Sequence, residues 1–419
     1  MSIINRSLIE QTVAATTELL RFAQPADAAL SAFFRAQRCG PRERAFIAET
    51  AYAVLRHKRS LTARIGPEAS PRQLTLVCLI SEGGLSQRTL ENALPPRDVA
   101  WLGELKARPE SKSLADQADL PDWLYERLAA RLPKAELLEL ARALNQPAPL
   151  DLRVNTLKAQ RAEVLAQLQR EGLTANACPY APEGIRLAEK PALAKHPLFL
   201  DGSIEVQDEG SQLLGHLLAP KRGEMVVDFC AGAGGKTLLL GALMRSTGRL
   251  YAFDVSEKRL AKLKPRLARS GLSNVHPVAI AHENDQRVKR LAGKCDRVLV
   301  DAPCSGLGTL RRNPDLKWRQ TPQSVAELVV KQTAIIAAAA KLLKHGGRLV
   351  YATCSLLPEE NAQIVDAFLA AHPGFARRSS GEVLAAQGIA LDLPGDDLQL
   401  SPHTHGTDGF YAAVLERVA

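Results

Sequence analysis

The chain of 419 residues is 46% hydrophobic and 24% charged and carries a formal net charge of +9. That composition is ordinary for globular protein and excludes wholesale disorder, collagen-like sequence and a disulfide-stapled miniprotein. No uncharged apolar run approaches the ~18 residues of a membrane helix, and the first residues, with Arg6, Glu10 and Glu18, lack a signal-peptide core, so a cytoplasmic protein with no membrane partner is expected.

In chain order, residues 1–105 read as helical, because apolar residues recur at helical spacing in Leu8, Val13, Leu19 and Leu20, and again in Phe46, Ile47, Tyr52, Val54 and Leu55. Gln24-Pro25, Gly40-Pro41, Gly66-Pro67 and Gly83-Gly84 separate the segments. The polar stretch Ala107 to Asp119 is a candidate linker, so the first domain spans 1–115. A small α+β module is expected over 120–205. It has helices from Asp122 to about Leu132 and from Ala135 to Leu144, and a strand at Leu150–Asn155. A helix at Ala162–Glu171 and strands near Ile185 and Ile204 complete it. The third domain, 206–419, alternates buried-type strands with helices. Met225–Phe229, Leu250–Phe253, Val278–Ile280, Arg297–Val300 and Arg348–Tyr351 are the strands, which predicts a parallel, doubly wound sheet.

The first strand of that sheet runs into Asp228-Phe229-Cys230-Ala231-Gly232-Ala233-Gly234-Gly235-Lys236-Thr237. Glycines let a ligand approach the backbone, and the helix that follows offers free N–H groups. Asp254 closes the next strand, 20 residues after Gly234, where an acid typically binds ribose hydroxyls. A P-loop would need glycine at 230, and Cys230 stands there. A nucleoside-type cofactor without a pyrophosphate fits better.

The seven cysteines lie at 39, 78, 178, 230, 295, 304 and 354. Their number is odd and no pair has C-x-x-C spacing, so neither a disulfide framework nor a metal site is expected. Two follow sheet strands, in Asp301-Ala302-Pro303-Cys304-Ser305 and in Thr353-Cys354-Ser355. Ligands of such sheets bind beyond the carboxyl ends of strands, so Cys230, Cys304 and Cys354 are expected at one crevice. Two thiols and a carboxylate suit methylation at carbon 5 of a pyrimidine. A thiolate adding at carbon 6 makes carbon 5 nucleophilic, and a second group must then release the product.

Charge is uneven: residues 255–320 hold fifteen lysines and arginines against six acids, which accounts for the whole surplus. A polyanion partner such as nucleic acid follows, with Arg287, Lys289, Arg290, Arg311, Arg312, Lys317 and Arg319 as backbone contacts. Trp318, between two cations, is positioned either to stack on a base or to pack internally. Arg56, Lys58 and Arg59 form a second basic cluster.

The segments around Cys230, Asp254, Asp301–Gly308 and Tyr351–Asn361 resemble the motifs of the NOL1/NOP2/Sun RNA cytosine-5 methyltransferases, over roughly 125–419. The helical region resembles the NusB-type RNA-binding fold, and Arg311–Trp318 also matches a bacterial subgroup. The resemblance implies a multidomain α and α/β protein. An all-helical NusB-like bundle and a small α+β module precede a Rossmann-like class I methyltransferase domain with a doubly wound sheet. It implies S-adenosylmethionine as cofactor and a monomer acting on RNA, 16S ribosomal RNA above all. Cys354 would then be the nucleophile and Cys304 would assist release. Asp301 would contact the cytosine and the methyl donor, and Lys236 would position base or donor. Cys230, Ala231, Gly232, Ala233, Gly234, Gly235 and Lys236 would cradle the cofactor, with Asp254 on its ribose. DNA cytosine-5 methyltransferases use the Pro-Cys cysteine, which by analogy makes Cys304 the attacking group. Two departures stand out. Gly232-Ala233-Gly234 replaces the family's Ala-Ala-Pro, and the acid after the third strand has no clean match in Ala281–Asp285, where Glu283 is favoured. Two other readings remain: a non-catalytic ribosome-assembly factor, and a methyltransferase acting on a small molecule or protein.

Overall fold

The helical region begins where its sequence provides a cap. In the computed structural model the Asn5 side chain accepts from the Leu8 amide at 2.9 Å and starts helix Arg6–Leu20. Ser70 and Gln73 cap Pro71–Ser81 reciprocally, with proline at the first helical position. Between them run Ala26–Ala36 and Pro41–Ile65, and Gln87–Glu91 and Pro96–Leu105 follow. The structure describes residues 4–105, 111 and 113–418, so 107–110 and 112 of the candidate linker lie outside the described residues. Two units emerge, Met1–Pro147 with Thr309–Pro322, and Ala148–Gly308 with Gln323–Ala419.

The first unit extends past the expected boundary near 115–120 because Leu114–Ala118, Asp122–Ala129 and Lys134–Asn145 fold onto the same helices. Arg59 holds this extension, bonding Asp116 and Asp122 at 2.6 Å each and the Leu120 carbonyl at 2.7 Å. The long helix Pro41–Ile65 is interrupted at His57, whose backbone leaves the helical region. An interruption frees backbone groups that need new partners. The Ser60 amide goes to Asp119 at 2.8 Å. The Arg56 carbonyl accepts from Lys317 Nζ at 2.6 Å, and the Leu55 carbonyl from Trp318 Nε1 at 2.7 Å. The excursion Thr309–Pro322 thus stitches the kink.

The second unit opens with a four-stranded antiparallel sheet, β1 (Leu150–Val154), β2 (Ala175–Ala177), β3 (Gly184–Leu187) and β4 (Ile204–Val206), in the order β2-β3-β1-β4. Leu152, Val154, Ile185 and Ile204 bury its core face against helix Arg161–Arg170. The larger sheet holds β5 (Met225–Asp228), β6 (Arg249–Asp254), β7 (Val275–Ala279), β8 (Cys295–Asp301) and β9 (Leu343–Thr353). It also holds β10 (Phe375–Arg378), β11 (Leu398–Leu400) and β12 (Phe410–Arg417). Its order is β10-β12-β9-β8-β5-β6-β7, with β11 on β12. Strands β5 to β9 are parallel, and β5, β8 and β9 are covered on both faces, which is why Val226, Val227, Val298–Val300 and Leu349–Ala352 are continuous apolar runs without exposure. The expected doubly wound sheet is present, and β12 extends it by running antiparallel to both β9 and β10. The strand order reverses between β8 and β5, and a sheet of this kind opens its binding crevice at the carboxyl ends of those two strands. Among the described residues no helix is long and apolar enough to cross a membrane.

Candidate active site

The turn after β5 is shaped by its glycines. Gly232 and Gly234 have φ of +56° and +81°, and a Cβ on Gly234 would stand 2.2 Å from the Leu263 side chain. Arg153, buried at the end of β1, donates to the Gly235 carbonyl at 2.7 Å, and Arg266 to that of Ala233 at 2.7 Å. The Ala231 amide bonds Phe253 in β6 at 2.8 Å. Helix Gly235–Leu243 follows and starts Lys236 toward the crevice. Asp254, at the end of β6, accepts from the Gly232 amide at 2.8 Å and the Ser256 amide at 2.7 Å.

Beyond these strand ends lies a pocket of about 390 Å³, within the size of small-ligand sites. Asp254, Glu283 and Asp301 supply its acids, Cys230, Cys304 and Cys354 its thiols, and Val255, Ile280, Pro303 and Ile335 much of its apolar wall. Val255 is 67% exposed, an apolar side chain left open beside an acid that still has lone pairs to offer. That pairing suits a nucleoside: hydroxyls on Asp254, a ring on the apolar wall. Glu283 lines the pocket, whereas Asp285 is consumed by Arg287 and by the Ala281 amide, which hold its carboxyl well below the usual range. Asp228, given no role in the sequence reading, lies buried beneath the turn. Burial pushes its carboxyl up to about 7 although Thr237 donates to it at 2.6 Å. Among the described residues no group of His, Cys, Asp and Glu is arranged to hold a metal ion.

The two loop cysteines and the Lys236–Asp301 pair meet at the ends of β8 and β9. Cys304 Sγ and Cys354 Sγ are 3.4 Å apart, and Lys236 Nζ bonds Asp301 at 2.7 Å. Burial works against the Lys236 ammonium, but Asp301, with Cys354 and Asp228, outweighs it and keeps its pKa above the ordinary lysine value. The bond to Cys354, then burial, then the charge of Cys354 push the Cys304 thiol well above its usual pKa. Burial and three nearby carboxylates do the same to Cys230, which lines the pocket wall. Glu360, also missed, is fully buried between the two cysteine loops.

The basic excursion behaves differently from its expected RNA-binding role. Lys317 is buried, held by the Arg56 carbonyl and by Asn145 Oδ1 at 2.9 Å, and burial lowers its pKa to about 7. Trp318 packs among the helical core residues and carries Lys58 over its ring at 4.8 Å. Arg311 is buried, its carbonyl bonded by Arg56 at 3.1 Å, and Arg319 pairs with Asp315 at 3.2 Å. Arg312 is half-buried. Lys317, Trp318 and Arg311 are therefore internal structure, and Arg56, Lys58 and Arg59 are likewise engaged inside the unit. Their partners come from segments far along the chain, which a local charge run does not reveal. The exposed cations of the helical unit include Arg35, Arg38, Arg42 and Arg44.

The doubly wound sheet, the acid at the end of β6 and the glycine turn after β5 are consistent with a class I methyltransferase, and the family and structure matches that follow show that class and its use of S-adenosylmethionine. Residues 215–416 match the family described as 16S rRNA methyltransferase RsmB/F, and 120–194 match the ferredoxin-like domain of RsmF/B-like methyltransferases. The chain is 40% identical to a probable ribosomal RNA small subunit methyltransferase B of Synechocystis, over 74% of this chain and 69% of that one. It is 33% identical to the probable counterpart from Bacillus subtilis, over 73% and 68%. Among solved structures, that of PH0851 superposes with a TM-score of 0.82 at 26% identity, covering 99% of both chains. NSun6 from Pyrococcus horikoshii, solved with an S-adenosylmethionine analogue, gives 0.64 at 25% identity, covering 71% of this chain and 98% of that one. The chain belongs to the RsmB/F family of 16S rRNA methyltransferases.

Proposed function

We propose that the protein methylates carbon 5 of a cytosine in 16S ribosomal RNA through a covalent adduct between Cys354 Sγ and carbon 6 of the base. The observation that carries this reading is the pair of sulfurs 3.4 Å apart at the ends of adjacent strands, on the wall of a nucleoside-sized pocket. Carbon 5 of cytosine is a poor nucleophile. Addition of the Cys354 thiolate at carbon 6 places electron density on carbon 5, which can then bond an electrophilic methyl carbon while the donor's sulfur leaves as a neutral thioether. S-adenosylmethionine supplies that methyl group when bound. Asp254 would hold its ribose and the Cys230–Lys236 turn its methionine end, with Glu283 and Asp301 on the same wall. Asp301, oriented by Lys236, would bond the cytosine ring.

Release needs a base for the carbon 5 proton, after which the bond from Cys354 Sγ to carbon 6 breaks and regenerates the thiolate. Cys304 fits that second task. The leading cause of its raised pKa is Cys354 itself, and once Cys354 is a thioether that cause is gone. The target base must leave its stack to reach a crevice of this kind. Arg35, Arg38 and Arg42 on the helical unit, and Lys289 and Arg290 on the catalytic unit, are the exposed cations we assign to the RNA backbone. Incubation with unmodified 16S rRNA and labelled S-adenosylmethionine, followed by nucleoside digestion, tests the assignment. Label in 5-methylcytosine, lost with Cys354→Ala, is expected. Label on another base, or methylation that survives Cys354→Ala, overturns it.

A further inference from the structure

Glu360 ends the short turn Pro358–Glu360 and has no exposed surface. A carboxyl group removed from water needs a full set of donors. Here Oε1 accepts from the Ser305 amide at 2.8 Å and from Gln332 Nε2 at 3.0 Å. Oε2 accepts from the Ser305 hydroxyl at 2.5 Å and from the Ser355 hydroxyl. The two hydroxyls stand 3.1 Å from each other. Ser305 is the residue after Cys304, and Ser355 the residue after Cys354. Gln332, from helix Pro322–Ala340, also donates to the Pro303 carbonyl at 2.9 Å, on the other side of Cys304. One carboxyl group therefore ties together the loops after β8 and β9 and the long helix between them. The turn that carries it is fixed in its own right. Tyr351 donates to the Glu360 carbonyl at 2.7 Å, Thr353 bonds Asn361 at 2.5 Å, and Asn361 donates to the Ser355 carbonyl at 3.0 Å.

We propose that Glu360 is the positioning residue of the thiol pair: through Ser305 and Ser355 it fixes the separation of Cys304 and Cys354 and so keeps adduct formation and adduct release in step. A carboxyl group that only filled a gap would need no partner beside either cysteine, and three of its four donors belong to residues that directly follow one. The proposal rests on the reading of Cys354 as nucleophile and Cys304 as releasing group, so its test includes a measurement of geometry alone. Glu360→Ala removes every bond. Glu360→Gln keeps an acceptor for the Ser305 amide and turns the other end into a donor that the hydroxyls can accept. Ser305→Ala with Ser355→Ala leaves the carboxyl group and Gln332 in place and serves if Glu360→Ala does not fold.

The geometric readout is the rate at which diamide converts the two thiols to a disulfide, the diamide taking up both electrons and both protons, followed by peptide mass mapping. Disulfide closure demands a close and specific approach of the sulfurs. Wild type should close the pair readily. Glu360→Ala, or the double serine variant, should close it at least ten times more slowly, with Glu360→Gln restoring most of the rate. In methyl transfer the same variants should lose roughly ten- to a hundredfold in kcat, with the KM for S-adenosylmethionine within twofold of wild type, and Glu360→Gln should recover most of kcat. A folded Glu360→Ala, or double serine variant, with wild-type closure and wild-type kcat overturns the proposal. Wild type that closes the disulfide but never methylates RNA overturns the functional reading instead, and the closure rates still decide whether Glu360 sets the geometry.

Discussion

Two segments of this chain look equally functional on paper and end differently in the fold. The loops after β8 and β9 carry Asp301, Cys304 and Cys354 into the crevice, while the neighbouring run Thr309–Pro322 carries Lys317 and Trp318 into the core of the helical unit. The difference lies in what fixes each placement. Parallel strand ends deliver their residues to a crevice whatever the side chains are, so a motif there keeps its meaning. A basic run has no such constraint. Its fate depends on whether the rest of the chain holds acceptors for it, and here the kinked helix Pro41–Ile65 does.

The comparison is sharpest where the effect is largest. Cys354→Ala removes the proposed nucleophile and should lower methyl transfer by more than about a thousandfold, measured as label incorporated into RNA, with S-adenosylmethionine binding unchanged. Asp254→Ala removes the acid assigned to the ribose and loosens the Gly232 amide. Loss of a charged hydrogen bond of ~1.5–3 kcal/mol should weaken S-adenosylmethionine about 10- to 100-fold by calorimetric titration, leaving RNA affinity alone.

On the other side, replacing Arg35, Arg38 and Arg42 together by alanine should weaken RNA and flatten the salt dependence of binding by ~0.7–0.9 per lost phosphate contact. Because these side chains are exposed, the melting temperature should stay put. An unchanged salt slope would move the RNA elsewhere on the surface.

The last prediction concerns the buried lysine. In the folded chain Lys317 has its pKa lowered to about 7, so between there and its ordinary value of 10.5 the native state holds fewer protons than the unfolded one. Stability should therefore rise with pH across that window, by at most about 1.4 kcal/mol per pH unit. The urea midpoint of wild type should rise relative to that of Lys317→Met between pH 6.5 and 9.5 if Lys317 titrates inside the fold. A constant difference would mean that it does not.

The cofactor turn, the acid after β6 and the two cysteine loops were legible because each is a short stretch whose position follows from strand order. The helices around Asp122–Ala129 and Lys134–Asn145 and strand β1 were legible from periodicity alone. Strand β12 and its direction were not. Phe410–Arg417 is an apolar run that reads the same in either orientation, and only its pairing with β9 sets it antiparallel. Glu360 was invisible for a related reason: in Pro-Glu-Glu-Asn it looks like a solvated turn, and its donors Ser305 and Gln332 lie 55 and 28 residues away. The kink at His57 likewise depends on Asp119, Lys317 and Trp318, partners from segments that no window around residue 57 contains.

The central claim is that two neighbouring thiols divide the work of attack and release. It is tested most directly by incubating unmodified 16S rRNA and S-adenosylmethionine with wild type, Cys304→Ala and Cys354→Ala, and resolving protein–RNA adducts on a denaturing gel. A stable adduct that accumulates with Cys304→Ala and is absent with Cys354→Ala is the predicted result. An adduct that accumulates with Cys354→Ala and requires Cys304 would contradict it and make Cys304 the nucleophile.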